Sequence, residues 1–247
     1  KLFGEAVIAA SSEASGFTRV PDFKDIRIPD NAAYVHITSN ETIGGVQYKE
    51  FPDTGDVPLF ADMSSDIMSR PFDVSRFGLI YAGAQKNIGP SGVTVVIIRE
   101  DLLKDLPKDL PAMFRYGVHA ENNSLYNTPP AFAVYMVNLV LKWIKAKGGL
   151  AEMEAYNRKK ADLLYRAIDE SGGFYRGVAA PEFRSHMNVT FRLRDAELEK
   201  LFAKESEEAG FVGLKGHRSV GGLRASIYNA VPLEACQALA GFMAEFA

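Results

Sequence analysis

Runs of apolar residues alternate with polar loops through the first half of the chain. Residues 6–10, 34–38, 57–61, 78–82 and 93–98 each read as a strand, the last β-branched and unbroken. Apolar positions that run on rather than alternate predict a sheet buried on both faces, as in α/β proteins. Gly89-Pro90-Ser91-Gly92 makes a turn between two of these strands. Over 129–147 the period becomes helical, with Thr128 expected as N-cap, Pro129 as the first helical residue and Gly148-Gly149 as the stop. A second long helix is expected over 150–170, with Lys159, Lys160 and Arg166 on its solvated face. Strands near 187–193, 211–214 and 223–228 then interleave with helices over 195–209 and from 233 onward. The double glycine is the expected domain boundary. It separates 1–147, a large but partial α/β unit with a mostly parallel sheet, from 148–247, a small α+β unit. Lys1-Leu2-Phe3-Gly4 reads as the end of a helix capped by Gly4, so an N-terminal piece is expected to be missing ahead of it.

Composition narrows the classes. A chain of 247 residues, 47% apolar and 24% charged, is ordinary for a soluble protein with two subdomains. A net charge of −3 argues against generic nucleic-acid binding, which shows a basic excess. The lone Cys236 cannot form an internal disulfide, which suits a reducing compartment and a cytoplasmic location. The most apolar helical run, 131–140, is shorter than the ~20 residues a bilayer needs, so no membrane span is expected. His36, His119, His186 and His217 share no ligand-like spacing, and no metal site is expected.

The candidate chemistry sits at strand ends. Lys86 follows the apolar run 79–82 and precedes the Gly/Pro turn, while Asp62 ends the run 57–61. A lysine there can be a solvated loop residue, and an aspartate before serines can simply cap a turn. Together, an apolar run ending in an acid and another leading to a lysine suit one sheet edge. A Schiff-base amine and a partner for a pyridinium nitrogen need such a placement, which points to pyridoxal phosphate. Asn127-Thr128-Pro129-Pro130 opens a helix whose N-terminus could take a phosphate as well as a cap. His217, Arg218 and Arg224 flank Val220-Gly221-Gly222, either as a solvated rim or as a grip for carboxylate or phosphate.

Asn40-Glu41-Thr42-Ile43-Gly44-Gly45, Ala61-Asp62-Met63-Ser64-Ser65, the stretch 81–92, Asn127-Thr128-Pro129-Pro130, Lys215-Gly216-His217-Arg218 and Arg224-Ala225-Ser226-Ile227-Tyr228-Asn229-Ala230 occur in an order that resembles the phosphoserine aminotransferases. These are class V, fold-type I enzymes dependent on pyridoxal phosphate, and the likeness runs through their C-terminal two-thirds. The resemblance implies a large PLP-binding domain and a small C-terminal one. It implies that Lys86 carries the cofactor and moves the proton between the substrate Cα and cofactor C4′, and that Asp62 pairs with the ring nitrogen. Thr42 and Gln85 would contact the cofactor. Asn127 and Thr128 would reach the cofactor phosphate of the other subunit of a homodimer. Arg224 would hold the substrate α-carboxylate, and His217 and Arg218 its phosphate or side-chain carboxylate. The implied reaction joins L-glutamate and 3-phosphohydroxypyruvate to give 2-oxoglutarate and O-phospho-L-serine in serine biosynthesis. The family's Gly-rich phosphate loop, ring-stacking aromatic and early His-Arg pair have no counterpart in this sequence. Two alternatives stay open: a cysteine desulfurase of the same class, which Gln85 and the helical setting of Cys236 disfavour, and a truncated, non-catalytic dimerising chain.

Overall fold

The computed structural model describes residues 4–104 and 109–247. Lys1, Leu2 and Phe3, on which the expected leading helix falls, lie outside these. The main sheet has the order β1 (Val35–Thr38), β4 (Leu59–Asp62), β5 (Leu79–Gly83), β6 (Thr94–Ile98). Strands β1, β4 and β5 are parallel and β6 runs antiparallel to β5. A short hairpin, β2 (Asn40–Glu41) with β3 (Val46–Gln47), follows β1. Helix α1 (Tyr116–Glu121) then leads to α2 (Ala131–Ala146) and α3 (Gly149–Asp169). A second, wholly antiparallel sheet has the order β7 (Tyr175–Gly177), β8 (Asn188–Leu193), β9 (Leu223–Ser226). Helix α4 (Ala196–Glu208) connects β8 to β9, and α5 (Leu233–Phe246) closes the chain. No helix is long and apolar enough to cross a membrane among the described residues.

Two large hydrophobic cores form among the described residues, beside a small cluster of Val20, Val46 and Ala179. One gathers Ile37, Leu59, Ala61, Met63, Ile80 and Ala82 beneath the parallel strands, with Val137 of α2. The other packs Leu164, Tyr175, Phe191, Phe202, Leu239 and Met243 between the antiparallel sheet and helices α3, α4 and α5. Edge-to-face rings of Tyr175, Phe191 and Phe202, with centroids 5.6–5.9 Å apart, fill its centre.

Several sequence expectations are corrected. Burial alternates in β1 and β4, so His36, Thr38, Phe60 and Asp62 share a more open face and the sheet is not buried on both sides. Strand β6 lies at the sheet edge with none of its residues buried. Residues 6–10 form no strand: Ile8 is 82% exposed, and Ala9 only accepts a bond from the Arg27 N–H. Residues 211–214 turn rather than extend, because Gly210 and Gly213 take positive φ of 91° and 80°. Helix α2 begins at Ala131 with Pro130 as its N-cap and no side-chain cap. A residue before proline is driven away from the helical region, which keeps Pro129 out of the helix and moves the N-cap from Thr128 to Pro130. Lys159 and Arg166 are exposed as expected, but Lys160 points inward and is fully buried.

Candidate active site

The carboxyl ends of the three parallel strands meet at one edge, where Thr38, Asp62 and Tyr81 stand in register. Such an edge is where open α/β sheets bind ligands. Past β1 the chain turns through the β2–β3 hairpin and brings up Thr42. Past β5 it turns at once, and Lys86 projects from that turn. Its Nζ donates to Thr42 Oγ1 at 2.8 Å. Burial pushes the Lys86 pKa down; the Asp62 carboxylate opposes this and the Arg224 guanidinium adds to it.

Local chemistry fixes both residues. Asp62 Oδ1 accepts the Ser64 N–H at 2.8 Å, and Ser64 Oγ in turn accepts the Gly83 N–H at 3.0 Å. The turn-capping use of Asp62 and its place at the site therefore coexist. On the same face the Tyr81 hydroxyl and His36 Nε2 share a 3.0 Å hydrogen bond. Burial raises the Tyr81 pKa, and the Asp62 charge raises it further. Behind Lys86, Asn87 donates to the Ile67 carbonyl at 3.1 Å and accepts the Asn229 N–H at 3.1 Å. The turn carrying the lysine is thereby tied to the segment that follows β9. Gly89 lets α2 approach closely: a Cβ there would lie 2.7 Å from Val137 Cγ2.

Arg224, on β9, joins the same region from the second sheet. It lines a cleft of about 660 Å³ with Thr38, Glu41, Gly44 and Arg192. Its Nε is buried and lacks a hydrogen-bond partner among the described residues, an orphaned donor on a residue that lines this cleft. Gln85 is exposed and folds over Gly83, where any Cβ would come within 2.5 Å of its Oε1. Asn127 and Thr128 are exposed, with Asn127 Nδ2 donating to the Thr128 carbonyl at 3.2 Å, and the chain's own fold does not bring them to Lys86. His217 Nδ1 is engaged with Ser219 Oγ at 2.7 Å, and Arg218 is exposed; neither lines the cleft.

Sequence reading thus brought out Thr42, Asp62, Lys86 and Arg224, which the fold assembles. It named Ser64 only as part of the turn after Asp62 and His36 only among the histidines, and it gave Asn87 and Tyr81 no role of their own. Ser64 and Asn87 stand next to or near the residues they fix, a usable signal. The His36–Tyr81 pair depends on strand register and leaves none. Among the described residues no cluster of His, Cys, Asp and Glu could hold a metal.

The fold is that of the class-V aminotransferases, whose family profile matches residues 5–239. A phosphoserine aminotransferase from Niallia circulans is 65% identical over 246 residues, spanning all of this chain and 68% of its own length. The solved phosphoserine aminotransferase from Bacillus circulans subsp. alkalophilus superposes with a TM-score of 0.98 at 65% identity, over 99% of this chain and 68% of that one. A PLP-bound phosphoserine aminotransferase from Trichomonas vaginalis gives 0.87 at 42% identity, over 92% of this chain and 64% of that one. The chain belongs to the phosphoserine aminotransferase family. Its donor set fits pyridoxal phosphate: a desolvated amine for an aldehyde, a carboxylate fixed by its own turn for a ring nitrogen, and the Thr42 hydroxyl beside them.

Proposed function

We propose that this chain transfers the amino group of L-glutamate to 3-phosphohydroxypyruvate, giving 2-oxoglutarate and O-phospho-L-serine in serine biosynthesis, with pyridoxal phosphate as cofactor. The observation that carries this reading is the half-buried Lys86 amine, bonded to Thr42 and set between the charges of Asp62 and Arg224. When bound, pyridoxal phosphate supplies an electron sink for the bond broken at the substrate α-carbon. Lys86 holds the cofactor and takes and returns the α-proton, for which its burial favours the neutral amine. Asp62 keeps the ring nitrogen protonated. Thr42 and Gln85 contact the cofactor. Arg224 takes the substrate α-carboxylate with its unpartnered Nε, a charge-assisted bond of the stronger kind. His217 and Arg218 hold the phosphate or second carboxylate.

Asn127 and Thr128, exposed on one chain, reach the cofactor phosphate in the partner of a homodimer. The buried thiol of Cys236, with its pKa raised by burial, suits a structural role in a cytoplasmic protein and not a desulfurase nucleophile.

Absorbance spectra of the protein with added pyridoxal phosphate, taken before and after L-glutamate, test the reading. A visible band that glutamate bleaches is expected, and Lys86→Ala should lose multiple-turnover transamination by a factor of at least about 10³. Near wild-type turnover in Lys86→Ala would overturn the assignment.

A further inference from the structure

Arg192 occupies the one exposed position of strand β8. Its Nε donates to Glu199 Oε1 at 2.6 Å, and the same oxygen accepts the Leu193 N–H at 3.3 Å. The Glu199 side chain is only 11% exposed against 46% for Arg192, so a largely desolvated carboxylate anchors a more open guanidinium. The other end of the fork, Nη1, donates to the Val220 carbonyl at 2.8 Å. Val220 lies in loop 216–222, which closes on itself. The Gly216 N–H donates to the Gly222 carbonyl at 2.8 Å, and the Val220 and Gly221 N–H groups donate to the His217 carbonyl at 3.0 and 2.8 Å. Gly221 and Gly222 both take φ of +70°, and a Cβ on Gly222 would lie 2.6 Å from Arg192 Cδ. The loop is therefore a small hydrogen-bonded unit on a glycine neck, with the Arg192 stem against that neck and its guanidinium on the Val220 carbonyl. Ser219, Val220 and Gly221 form part of the cleft wall, together with Glu41 and Arg224.

We propose that Arg192 is a positioning residue for the phosphorylated substrate: braced on Glu199, it latches loop 216–222 through the Val220 carbonyl and so sets where His217 and Arg218 stand. This rests on the reading of His217 and Arg218 as substrate-anion ligands. The latch needs a fork. One N–H faces the carboxylate while another reaches the loop, a geometry that a lysine ammonium on its flexible stem does not reproduce.

The test uses the PLP-loaded enzyme in steady-state kinetics with L-glutamate and 3-phosphohydroxypyruvate. Arg192→Ala is expected to raise KM for 3-phosphohydroxypyruvate about tenfold while kcat falls less than about threefold. Arg192→Lys should restore the melting temperature through Glu199 but leave KM raised. In both variants trypsin should cut after Arg218 faster than in the parent enzyme. Full recovery of KM in Arg192→Lys would show plain structural support and overturn the latch, as would unchanged KM and cleavage in Arg192→Ala. His217→Ala and Arg218→Ala separate the two ideas. If neither alters KM, the substrate reading itself fails. If they raise it and Arg192→Ala does not, only the latch fails.

Discussion

Lys160 donates from its buried Nζ to the carbonyl oxygens of Ile227 (2.9 Å) and Tyr228 (2.7 Å) and lies 5.0 Å from the centroid of the Tyr156 ring. Burial pushes its pKa down to about 8. A cation lowered in this way weakens the fold below that pH, and the penalty fades as pH rises from about 8 towards its unfolded value. Helical spacing offered a warning, since 153, 157, 160, 161, 164 and 168 form one buried stripe; residue type alone set Lys160 outside. His186 shows the same sign of pH dependence in a lower window. Burial, and then the nearby Lys49, Arg158 and Arg70 cations, push it down to about 3. Between its unfolded value near 6.5 and about 3 the unfolded chain binds a proton that the folded chain refuses, so stability falls as pH drops through that window. Urea unfolding at pH 4 to 6.5 should therefore show a shallower loss in His186→Gln, by about one proton's worth of slope. Identical slopes in the two proteins would refute the buried, neutral imidazole.

Long periodic helices were legible in the sequence because their signal is local: the expected 150–170 became α3 and the expected 195–209 became α4, with Asp195 capping the Glu197 and Leu198 N–H groups. Strands were less so, because a strand exists only where a neighbour pairs with it. Residues 34–38 and 78–82 found partners, while 6–10 did not. The hairpin β2–β3, two residues a strand, left almost no pattern, yet it positions Thr42. Gly45 shows why the hairpin tolerates little change. Its φ is +72°, and a Cβ would lie 2.6 Å from both the Asn188 carbonyl and Thr190 Oγ1. Gly45→Ala should destabilise the fold by on the order of 3 kcal/mol, read from chemical denaturation. A loss below roughly 0.5 kcal/mol, the range of harmless surface changes, would mean the hairpin does not seat on β8 as described.

At the scale of the molecule, a seam of short neutral side chains joins the two sheets. Asn40 Nδ2 donates to Ser65 Oγ at 2.8 Å and Asn188 Oδ1 at 2.9 Å, and Ser185 Oγ donates to Asn40 Oδ1 at 2.5 Å. Asn157 bridges Ser69 and Asn229 on the far side. No spacing in the sequence could have paired residue 40 with residue 188. The outer surface makes a different statement. Phe114 (71% exposed), Leu125, Tyr126, Phe132 (75% exposed) and Tyr135 lie within one short stretch of chain, a density of open apolar side chains that monomers seldom keep. The proposed homodimer would bury them. Light scattering of the purified protein should give twice the subunit mass, and a monomeric mass at micromolar concentration would count against a shared site. The amine of Lys86 hangs from one core and the guanidinium of Arg224 from the other, with the Asn40–Asn188 seam between them. The span between those two groups is consequently a matter of alignment: which length of acid fits can drift, over evolutionary time, through amide and hydroxyl exchanges at a buried seam.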